Sequence, residues 1–322
     1  MQRRQFVALG GATLASITMP VRAQAYPERP IKIVQGFAPG GNADAIARTI
    51  GTELGKTLGQ SVIVEAKTGA GGTIGSAAVA MAKPDGYTLL LATGGHAVAG
   101  ALYNTLPYKT VADFEPISTI TYFPFLLVVQ AGSPLRSFKD VLDKARSQPE
   151  AISYGTAGVG STHHLAMELL AKMGKARMLH VPYRGDTASL AGLLTGEVSF
   201  IIAPPTAVIS NIQAGKLRAI ASTGGQRWPG LPDVPTVAEQ GIAGYDVRSW
   251  AGLLAPVGTP RAIIDRVNAD VQKALLVPAV RQRLEDMGGE VRGSTPEEMK
   301  AMVTRELDKW VQVVADAKIP KQ

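Results

Sequence analysis

The chain has no cysteine among its 322 residues, and this absence removes several classes of function at once. Without cysteine there is no disulfide framework, no cysteine nucleophile and no thiolate metal site. An oxidising compartment stays open, because a chain of this length buries a full core without disulfide bonds. With 46% hydrophobic and 18% charged residues, the sequence predicts a globular protein of one or two domains.

The motifs of several enzyme classes are also missing. There is no His-Glu-x-x-His, and the adjacent His163 and His164 point in different directions on a helix, so no metal site is predicted. There is no Gly-x-Ser-x-Gly elbow. No Gly-Lys-Ser/Thr directly follows a glycine-rich turn, and Ile74 stands where a dinucleotide fingerprint needs its third glycine. We therefore predict no cofactor.

Positive charge is present but not concentrated. The net charge is +7, and removal of Arg3, Arg4 and Arg22 with the N-terminal segment described next leaves +4. The lysines and arginines are scattered, without runs of five or six and without interleaved aromatics, so no nucleic-acid partner is predicted. A small anionic ligand agrees with the sign of this charge.

The first 25 residues resemble a secretory signal peptide rather than part of the fold. An arginine pair is followed by an uncharged apolar stretch over 5–21, and Ala23-Gln24-Ala25 is a small-x-small cleavage site. The arginine pair is compatible with either Sec or Tat export. No later segment offers 18 uncharged apolar residues, so we expect a soluble, exported protein that starts at Tyr26.

From Ile31 onward, short β-branched runs alternate with glycine-containing turns and amphipathic helices. This alternation predicts an α/β fold with mostly parallel sheets. Two apolar extended runs, 122–129 and 250–256, enclose four strand–helix pairs, and we interpret them as crossovers between two lobes. The predicted limits are 26–124 plus 251–322 for the first lobe and 125–250 for the second.

Four glycine-rich turns follow predicted strands. In the first, residues 37–44 (Phe-Ala-Pro-Gly-Gly-Asn-Ala-Asp) lie between an apolar strand and a helix with apolar residues spaced by four. Backbone N–H groups without an intrahelical partner point out of such a turn and can hold an anion. The others are 69–75, 93–96 and 155–164, and ligands bind at this end of the strands in open α/β sheets.

For residues in two regions the sequence allows two interpretations. Ser161 or Thr162 is placed as a helix cap, which is either its whole role or is combined with holding a ligand oxygen. Arg184 follows a strand and is either a ligand contact or a solvated charge on a loop.

Taken together, these segments resemble one family, the periplasmic receptors of tripartite tricarboxylate transporters, called Bug-type binding proteins. The matching segments occur in order over essentially all of residues 26–320. They are Tyr-Pro-Glu-Arg-Pro-Ile at 26–31, the turn at 37–44, Gly-Ala-Gly-Gly-Thr-Ile-Gly at 69–75, Pro-Asp-Gly-Tyr-Thr-Leu-Leu at 84–90, Leu-Pro-Tyr at 106–108, Gly-Val-Gly-Ser-Thr at 158–162, Val-Pro-Tyr-Arg-Gly at 181–185, Ala-Gly-Lys-Leu-Arg-Ala at 214–219, Leu-Pro-Asp-Val-Pro-Thr-Val at 231–237 and Leu-Ala-Pro-Val-Gly-Thr-Pro at 254–260.

The resemblance implies a two-lobed Venus-flytrap protein of the type II kind in the periplasm. Such a receptor closes on a small carboxylate and delivers it to a membrane permease of one large and one small subunit, and we expect a monomer. The alternatives are a periplasmic enzyme acting on a carboxylate, which needs a positioned acid–base pair, or the ligand-binding subunit of a sensor. The identity of the carboxylate is left open.

In the family, the first turn and the Gly-Ser-Thr helix start hold a ligand carboxylate, in part through ordered waters. Here that role falls on Gly40, Gly41, Asn42, Asp44, Ser161 and Thr162. With the other turns, the full set of predicted binding residues is Phe37, Gly40, Gly41, Asn42, Asp44, Ala70, Thr93, Gly94, His96, Ser161, Thr162, His163, Arg184, Gly185, Ala203 and Pro204.

Three positions depart from the family pattern. Ala203, followed by Pro204, stands where relatives often have aspartate, which weakens the case for an amino-acid ligand. His163 replaces a common proline and Asp186 a small residue, and both are candidates for changing specificity.

Overall fold

A computed structural model describes residues 26–322, and the predicted signal peptide lies outside this range. Within it the chain forms two β-sheets of six and five strands, each with its own helices. No helix in the range is both long and apolar enough to cross a membrane. The α/β prediction with two lobes is confirmed.

Strands and helices alternate along most of the chain, as the sequence pattern predicts. The strands are β1 Ile31–Gln35, β2 Val62–Ala66, β3 Thr88–Thr93, β4 Phe114–Pro124, β5 Leu126–Gln130, β6 Ser153–Thr156, β7 Leu179–Pro182, β8 Phe200–Ala203, β9 Leu217–Ser222, β10 Arg248–Pro256 and β11 Glu290–Val291. The helices are α1 Asn42–Leu58, α2 Thr73–Ala80, α3 Gly95–Leu102, α4 Phe138–Ser147, α5 Thr162–Met173, α6 Asp186–Thr195, α7 Pro205–Gln213, α8 Arg261–Leu276, α9 Pro278–Asp286 and α10 Pro296–Asp316, and a 3₁₀ turn over Ala70–Gly72 precedes α2.

Both sheets are mixed: most strands of each sheet run in one direction and the others run in the opposite direction. In the first, ordered β11-β4-β10-β3-β1-β2, strands β1 to β4 point one way while β10 and β11 point the other. In the second, ordered β7-β6-β8-β5-β9, only β5 is reversed. Most strands of each sheet point the same way, but β10 and β5 lie antiparallel between their neighbours, so the sheets are mixed rather than mostly parallel as predicted.

The reversed strands follow from the way the chain changes lobes. It leaves each sheet at the carboxyl end of a strand, β4 or β9, and the receiving strand starts at that same end of the other sheet. A strand that starts there must run back against its neighbours, as β5 and β10 do. The carboxyl ends of the parallel strands of both sheets consequently face each other.

The predicted crossover segments are strands rather than connections. β4 ends at Pro124 and β5 begins at Leu126, so the first crossing takes only Phe125. The second run lies in β10, which pairs with β4 from Arg248 onward. The predicted lobe limits stay a prediction, and β10 of the first sheet starts before the limit placed after Trp250.

Thr223 joins the two crossings. Its hydroxyl accepts a hydrogen bond from the Phe125 N–H at 2.9 Å and donates one to the Val247 carbonyl at 2.7 Å. Its backbone N–H donates to Phe125 O and its carbonyl accepts from Val247 N–H, both at 2.9 Å. The side chain is fully buried, so four hydrogen bonds fix the point where both segments change lobes.

Helix limits follow local sequence signals. Helix α1 buries Ile46, Ile50 and Leu54 and ends at Gly59, which adopts the left-handed conformation at φ 68°. Helix α10 starts with a capping box, in which the side chains of Thr295 and Glu298 accept hydrogen bonds from each other's backbone N–H groups. Helices α3 and α7 were not predicted: α3 is buried along most of its length and has no polar face, and α7 starts at a Pro-Pro pair.

One hydrophobic cluster extends through both lobes. It includes Ile33 and Leu91 of the first sheet and Leu127 of the second, and the rings of Phe123 and Phe125 lie between them, 5.9 Å apart. The core is therefore continuous behind the cleft, and the lobes separate only on the side where the strand ends face each other.

Removing the Thr223 hydroxyl is expected to destabilise the protein more than removing its methyl group. Thr223→Val keeps the shape but leaves the Phe125 N–H and the Val247 carbonyl buried without that partner, which costs about 2–4 kcal/mol. Thr223→Ser keeps both bonds and is expected to lose only about 1 kcal/mol for one methyl group. Urea unfolding of both variants measures this, and equal losses would contradict the role of the hydroxyl.

Candidate functional site

A cavity lies between the two lobes, where the strand ends face each other. Its walls come from both lobes: Phe37, Asn42, Ala43, Thr93, Phe123, Phe125, Thr162, His163, Asp186, Pro204 and Ser249. Its volume is about 330 Å³ including the part that is open to solvent, at the lower end of the range for ligand pockets.

The two lobes are in contact around this cavity. The Thr206 hydroxyl of α7 donates to the Asn42 side-chain oxygen of α1 at 2.9 Å. Gly71 approaches the loop before α5 so closely that a Cβ on it would lie 2.6 Å from the carbonyl carbon of Gly160. Contacts this close between main chains are possible only with glycine, so the described conformation is a closed one.

The turn between β1 and α1 is shaped by Asp44. Its Oδ2 accepts from the Gly40 N–H at 3.0 Å and from the Arg48 Nε at 2.8 Å. Burial raises the pKa of this carboxyl, but the bonds from Arg48 and Gly40 outweigh that effect, and the pKa lies below its usual value. Asp44 is therefore ionised at neutral pH and holds the turn in place.

Helix α1 starts without a side-chain cap. Gly41 occupies the N-cap position, and the first N–H that bonds back into the helix is that of Ala45. Helices α6 and α7 also start beside the cavity without a side-chain cap, at Gly185 and Pro204. The open N–H groups and the positive ends of these helices favour an anion in the space they face.

Helix α5 is the capped one. The Ser161 hydroxyl accepts from the His164 N–H at 3.3 Å and donates to the Gly158 carbonyl at 2.6 Å. Ser161 is fully buried, whereas the next residue, Thr162, lines the cavity. The structure thus assigns capping to Ser161 and the position on the cavity wall to Thr162.

His163 and Asp186 form a pair in the cavity wall. Nε2 of His163 lies 3.1 Å from Oδ1 of Asp186, and both side chains are about nine-tenths buried. The distance suits a hydrogen bond, but the alignment does not, and among the described residues neither ring nitrogen nor this oxygen has a hydrogen-bond partner. The Phe125 ring lies 4.2 Å from the imidazole ring.

Six of the sixteen predicted residues line the cavity: Phe37, Asn42, Thr93, Thr162, His163 and Pro204. Several others lie next to it. Gly40 and Gly41 line an adjoining opening, Gly185 precedes Asp186, and Gly94 donates from its N–H to Ser249 Oγ at 3.3 Å. Contact of any of them with a ligand stays a prediction.

Four predicted residues lie elsewhere. His96 is inside the first lobe, where Nδ1 contacts Ser76 Oγ at 3.1 Å and Nε2 contacts the Thr110 carbonyl at 2.9 Å. Burial lowers the pKa of His96 to about 4, so it is a neutral core residue. Arg184 and Ala70 are exposed outside the cavity, and Ala203 is buried within β8.

Five cavity residues are missing from the predicted set: Ala43, Phe123, Phe125, Asp186 and Ser249. Phe123 and Phe125 belong to the apolar run 122–129, whose sequence indicates only a crossover between the lobes. Asp186 was noticed as unusual in the sequence, and only the fold brings it to His163. Within residues 26–322, no three His, Asp or Glu side chains are grouped so that they could hold a metal ion.

Comparison with known proteins gives consistent matches. The model of the tripartite tricarboxylate transporter family receptor (TctC) matches residues 46–319. The chain is 39% identical over 315 residues to a UPF0065 protein from the tcbD-tcbE intergenic region of Pseudomonas sp. strain P51, covering 97% of this chain and 94% of that protein. It is 34% identical to BugT of Bordetella pertussis, covering 94% and 93%.

Solved structures match as closely. The periplasmic binding protein BugD superposes with a TM-score of 0.88 at 35% identity, covering 92% of this chain and all of that one. Rpa4515 of R. palustris, solved with adipate, has a TM-score of 0.88 at 34% identity, covering 92% and 100%. MatC of Rhodopseudomonas palustris, with bound malate, has 0.85 at 35% identity, covering 90% and 100%. The two-lobed binding-protein fold is confirmed.

Asp44→Asn is expected to lower the free energy of unfolding by about 1 kcal/mol at neutral pH, because a charged bond at a helix start is lost. The lowered pKa means that this stabilisation is present above the unfolded pKa near 3.8 and disappears as pH falls through the lower, folded pKa. The difference from wild type should therefore be constant from about pH 5 to 8 and vanish towards about pH 2.

Urea unfolding across this pH range measures the effect. Asp143→Asn, which removes an exposed pair with Lys139 on α4, is the control and should change stability by less than about 0.5 kcal/mol. A difference at Asp44 that persists at the acid end would show that its charge is not the cause.

Proposed function

The chain belongs to the tripartite tricarboxylate transporter family of receptors, and from this we propose that it is a periplasmic solute-binding protein for a small organic carboxylate. It captures the carboxylate between its lobes and delivers it to a membrane permease of one large and one small subunit. The predicted signal peptide supports the location. The permease partner follows from the family to which the chain belongs.

The observation that carries this proposal is the small cavity between the lobes, bordered by open helix starts. Neither lysine nor arginine is among the residues that line it. An anion in this space would be held by backbone N–H groups and the positive ends of helices, which bind carboxylates without a formal charge of their own. The family neighbours solved with adipate and malate agree with a carboxylate ligand.

An enzyme acting on a carboxylate is the second candidate, and a specific pair supports it. His163 and Asp186 lie 3.1 Å apart in the cavity wall, as an acid–base pair would. The family consists of receptors, which favours binding without turnover. Incubation of the purified protein with bound carboxylate, followed by mass spectrometry, separates the two, since only an enzyme yields a product.

A panel of mono-, di- and tricarboxylates is expected to contain at least one compound that raises the melting temperature. At a ligand concentration of 100 times Kd, binding stabilises the folded protein by about 2.7 kcal/mol. Thermal-shift measurement detects this, and the primary amides of the same compounds are the control because they lack the negative charge. A panel without any shift, or amides that bind as well as acids, would contradict the proposal.

Closure of the lobes should be required for tight binding, and Gly71→Ala tests this. The added Cβ would meet the Gly160 backbone at 2.6 Å across the cleft, so the variant is held open and should lose at least about tenfold in affinity. Gly59→Ala is the matched control: its φ of 68° is close to the 64° of Gly71, but nothing lies within 4 Å of its Cβ.

Both variants carry a similar backbone penalty of about 1–2 kcal/mol in stability. Calorimetry with the best compound of the panel should show weaker binding for Gly71→Ala alone. Small-angle scattering should show a smaller radius of gyration on saturation of wild type and of Gly59→Ala. Equal affinities in the two variants would indicate binding within one lobe.

A further inference from the structure

We propose that His163 and Asp186 make this receptor selective for a monocarboxylate that carries a hydroxyl group, and that they reject di- and tricarboxylates. The inference rests on the proposed function and specifies its substrate class. It is carried by three observations at the cavity: the charges of its walls, the open hydrogen-bonding capacity of the pair, and the apolar rings beside it.

The first observation is the charge of the cavity. Among the residues that line it, Asp186 and His163 are the titratable ones, and no lysine or arginine accompanies them. The pair therefore does not supply the permanent positive charge that a lysine or arginine would place beside an anion. The nearby Asp44 is already paired with Arg48. Arg283 and Asp286 both line the adjoining opening, not this cavity, and Arg283 Nε donates to Thr49 Oγ1 at 3.1 Å.

This balance is adequate for one ligand charge but not for two. One carboxylate can be held by the open helix starts of α1 and its neighbours. A second carboxylate would enter a closed, nine-tenths buried wall beside a like charge, with no arginine or lysine to compensate for the lost hydration. Oδ2 of Asp186 faces the other lobe, since a Cβ on Gly41 would be 3.8 Å from it.

The second observation is the open hydrogen-bonding capacity of the pair. Both ring nitrogens of His163 and Oδ1 of Asp186 are buried without a hydrogen-bond partner among the described residues. A hydroxyl group donates one hydrogen bond and accepts others, so it can donate to Asp186 and accept from a His163 N–H at once. A carboxylate only accepts and an ammonium only donates, so neither satisfies both members.

The third observation concerns the body of the ligand. The rings of Phe37, Phe123 and Phe125 and the ring of Pro204 line the same cavity. Phe125 lies against His163, with ring centroids 4.2 Å apart, so the polar pair is next to an apolar wall. A ligand that fills this space has a short apolar or aromatic body between its carboxylate and its hydroxyl.

Two matched series of compounds test the proposal. The first is butyrate, 4-hydroxybutyrate, succinate and 4-aminobutyrate, and the second is benzoate with its 4-hydroxy, 4-carboxy and 4-aminomethyl derivatives. In each series the body is similar and the far group is neutral, hydroxyl, anionic or cationic. Calorimetry on the wild-type protein at pH 7 should show, in at least one series, that the hydroxyl compound binds at least tenfold more tightly than the other three.

Asp186→Asn and His163→Gln separate specificity from folding. Asp186→Asn removes the negative charge and keeps the shape, so the affinity for the dicarboxylate relative to the hydroxyl compound should rise at least tenfold. His163→Gln should weaken the hydroxyl compound about tenfold and leave the unsubstituted parent within twofold. These are ratios within one variant, so a general loss of stability does not produce them.

Several outcomes would overturn the inference. A dicarboxylate that binds wild type as tightly as the hydroxyl compound shows that the pair does not reject a second charge. Tightest binding of an amino derivative shows that Asp186 acts as a simple counter-charge. An unchanged ratio in Asp186→Asn shows that the pair is structural. In each case carboxylate binding, and with it the proposed function, stands. If neither these eight compounds nor the wider panel binds, both fail.

Discussion

The rest of the structure depends on the place where the chain passes twice between the lobes. Phe125 and Val247 are both tied to Thr223, through its hydroxyl and its backbone, inside a fully buried region. Because both crossings lie at the carboxyl ends of strands, β5 and β10 must run back against their neighbours. The remaining parallel strands then direct their carboxyl ends, and the helix starts that follow them, into one cleft. Strand direction and ligand site thus have a common cause.

The closeness of the two faces of this cleft restricts which side chains can occupy it. The backbone of Gly71 lies against the backbone of Gly160, and a Cβ added to Gly71 would be only 2.6 Å from the Gly160 carbonyl carbon. No lysine or arginine lines the closed cavity, so an anion there is left to backbone N–H groups, whose positions are fixed by the helices, and to neutral polar side chains such as Thr162 and Ser249. Such groups supply affinity for a carboxylate in general, whereas the side chains that do enter the cavity distinguish one carboxylate from another.

Much of the fold could be predicted from the sequence because its local signals agree. The helix after the first turn could be predicted because its apolar residues are four apart, and α1 runs there from Asn42 to Leu58. Helix α3 could not be predicted in this way, because a helix buried on nearly all sides has no polar face to give it a period. Only part of the candidate site could be predicted, because the sequence shows where a turn lies but not where its side chains point. A turn after a strand can be recognised, but the direction of a side chain cannot, and His96 of such a turn points into its own lobe.

Asp186 illustrates what only the three-dimensional arrangement supplies. In the sequence it lies two residues after Arg184, where it replaces the small residue that is usual in the family and is a candidate for changing specificity. In the fold its carboxylate lies beside His163 of another helix and close to Gly41 of the other lobe. Relatives often have an aspartate, which could bind an ammonium group, where this chain has Ala203. The cleft of this chain has a carboxylate at Asp186 instead, and it lies beside the imidazole of His163. A carboxylate alone would favour a cation, and an imidazolium alone would favour a second anion. The two together favour a neutral group that both donates and accepts, which is why the pair, rather than either residue, determines the chemistry of this wall.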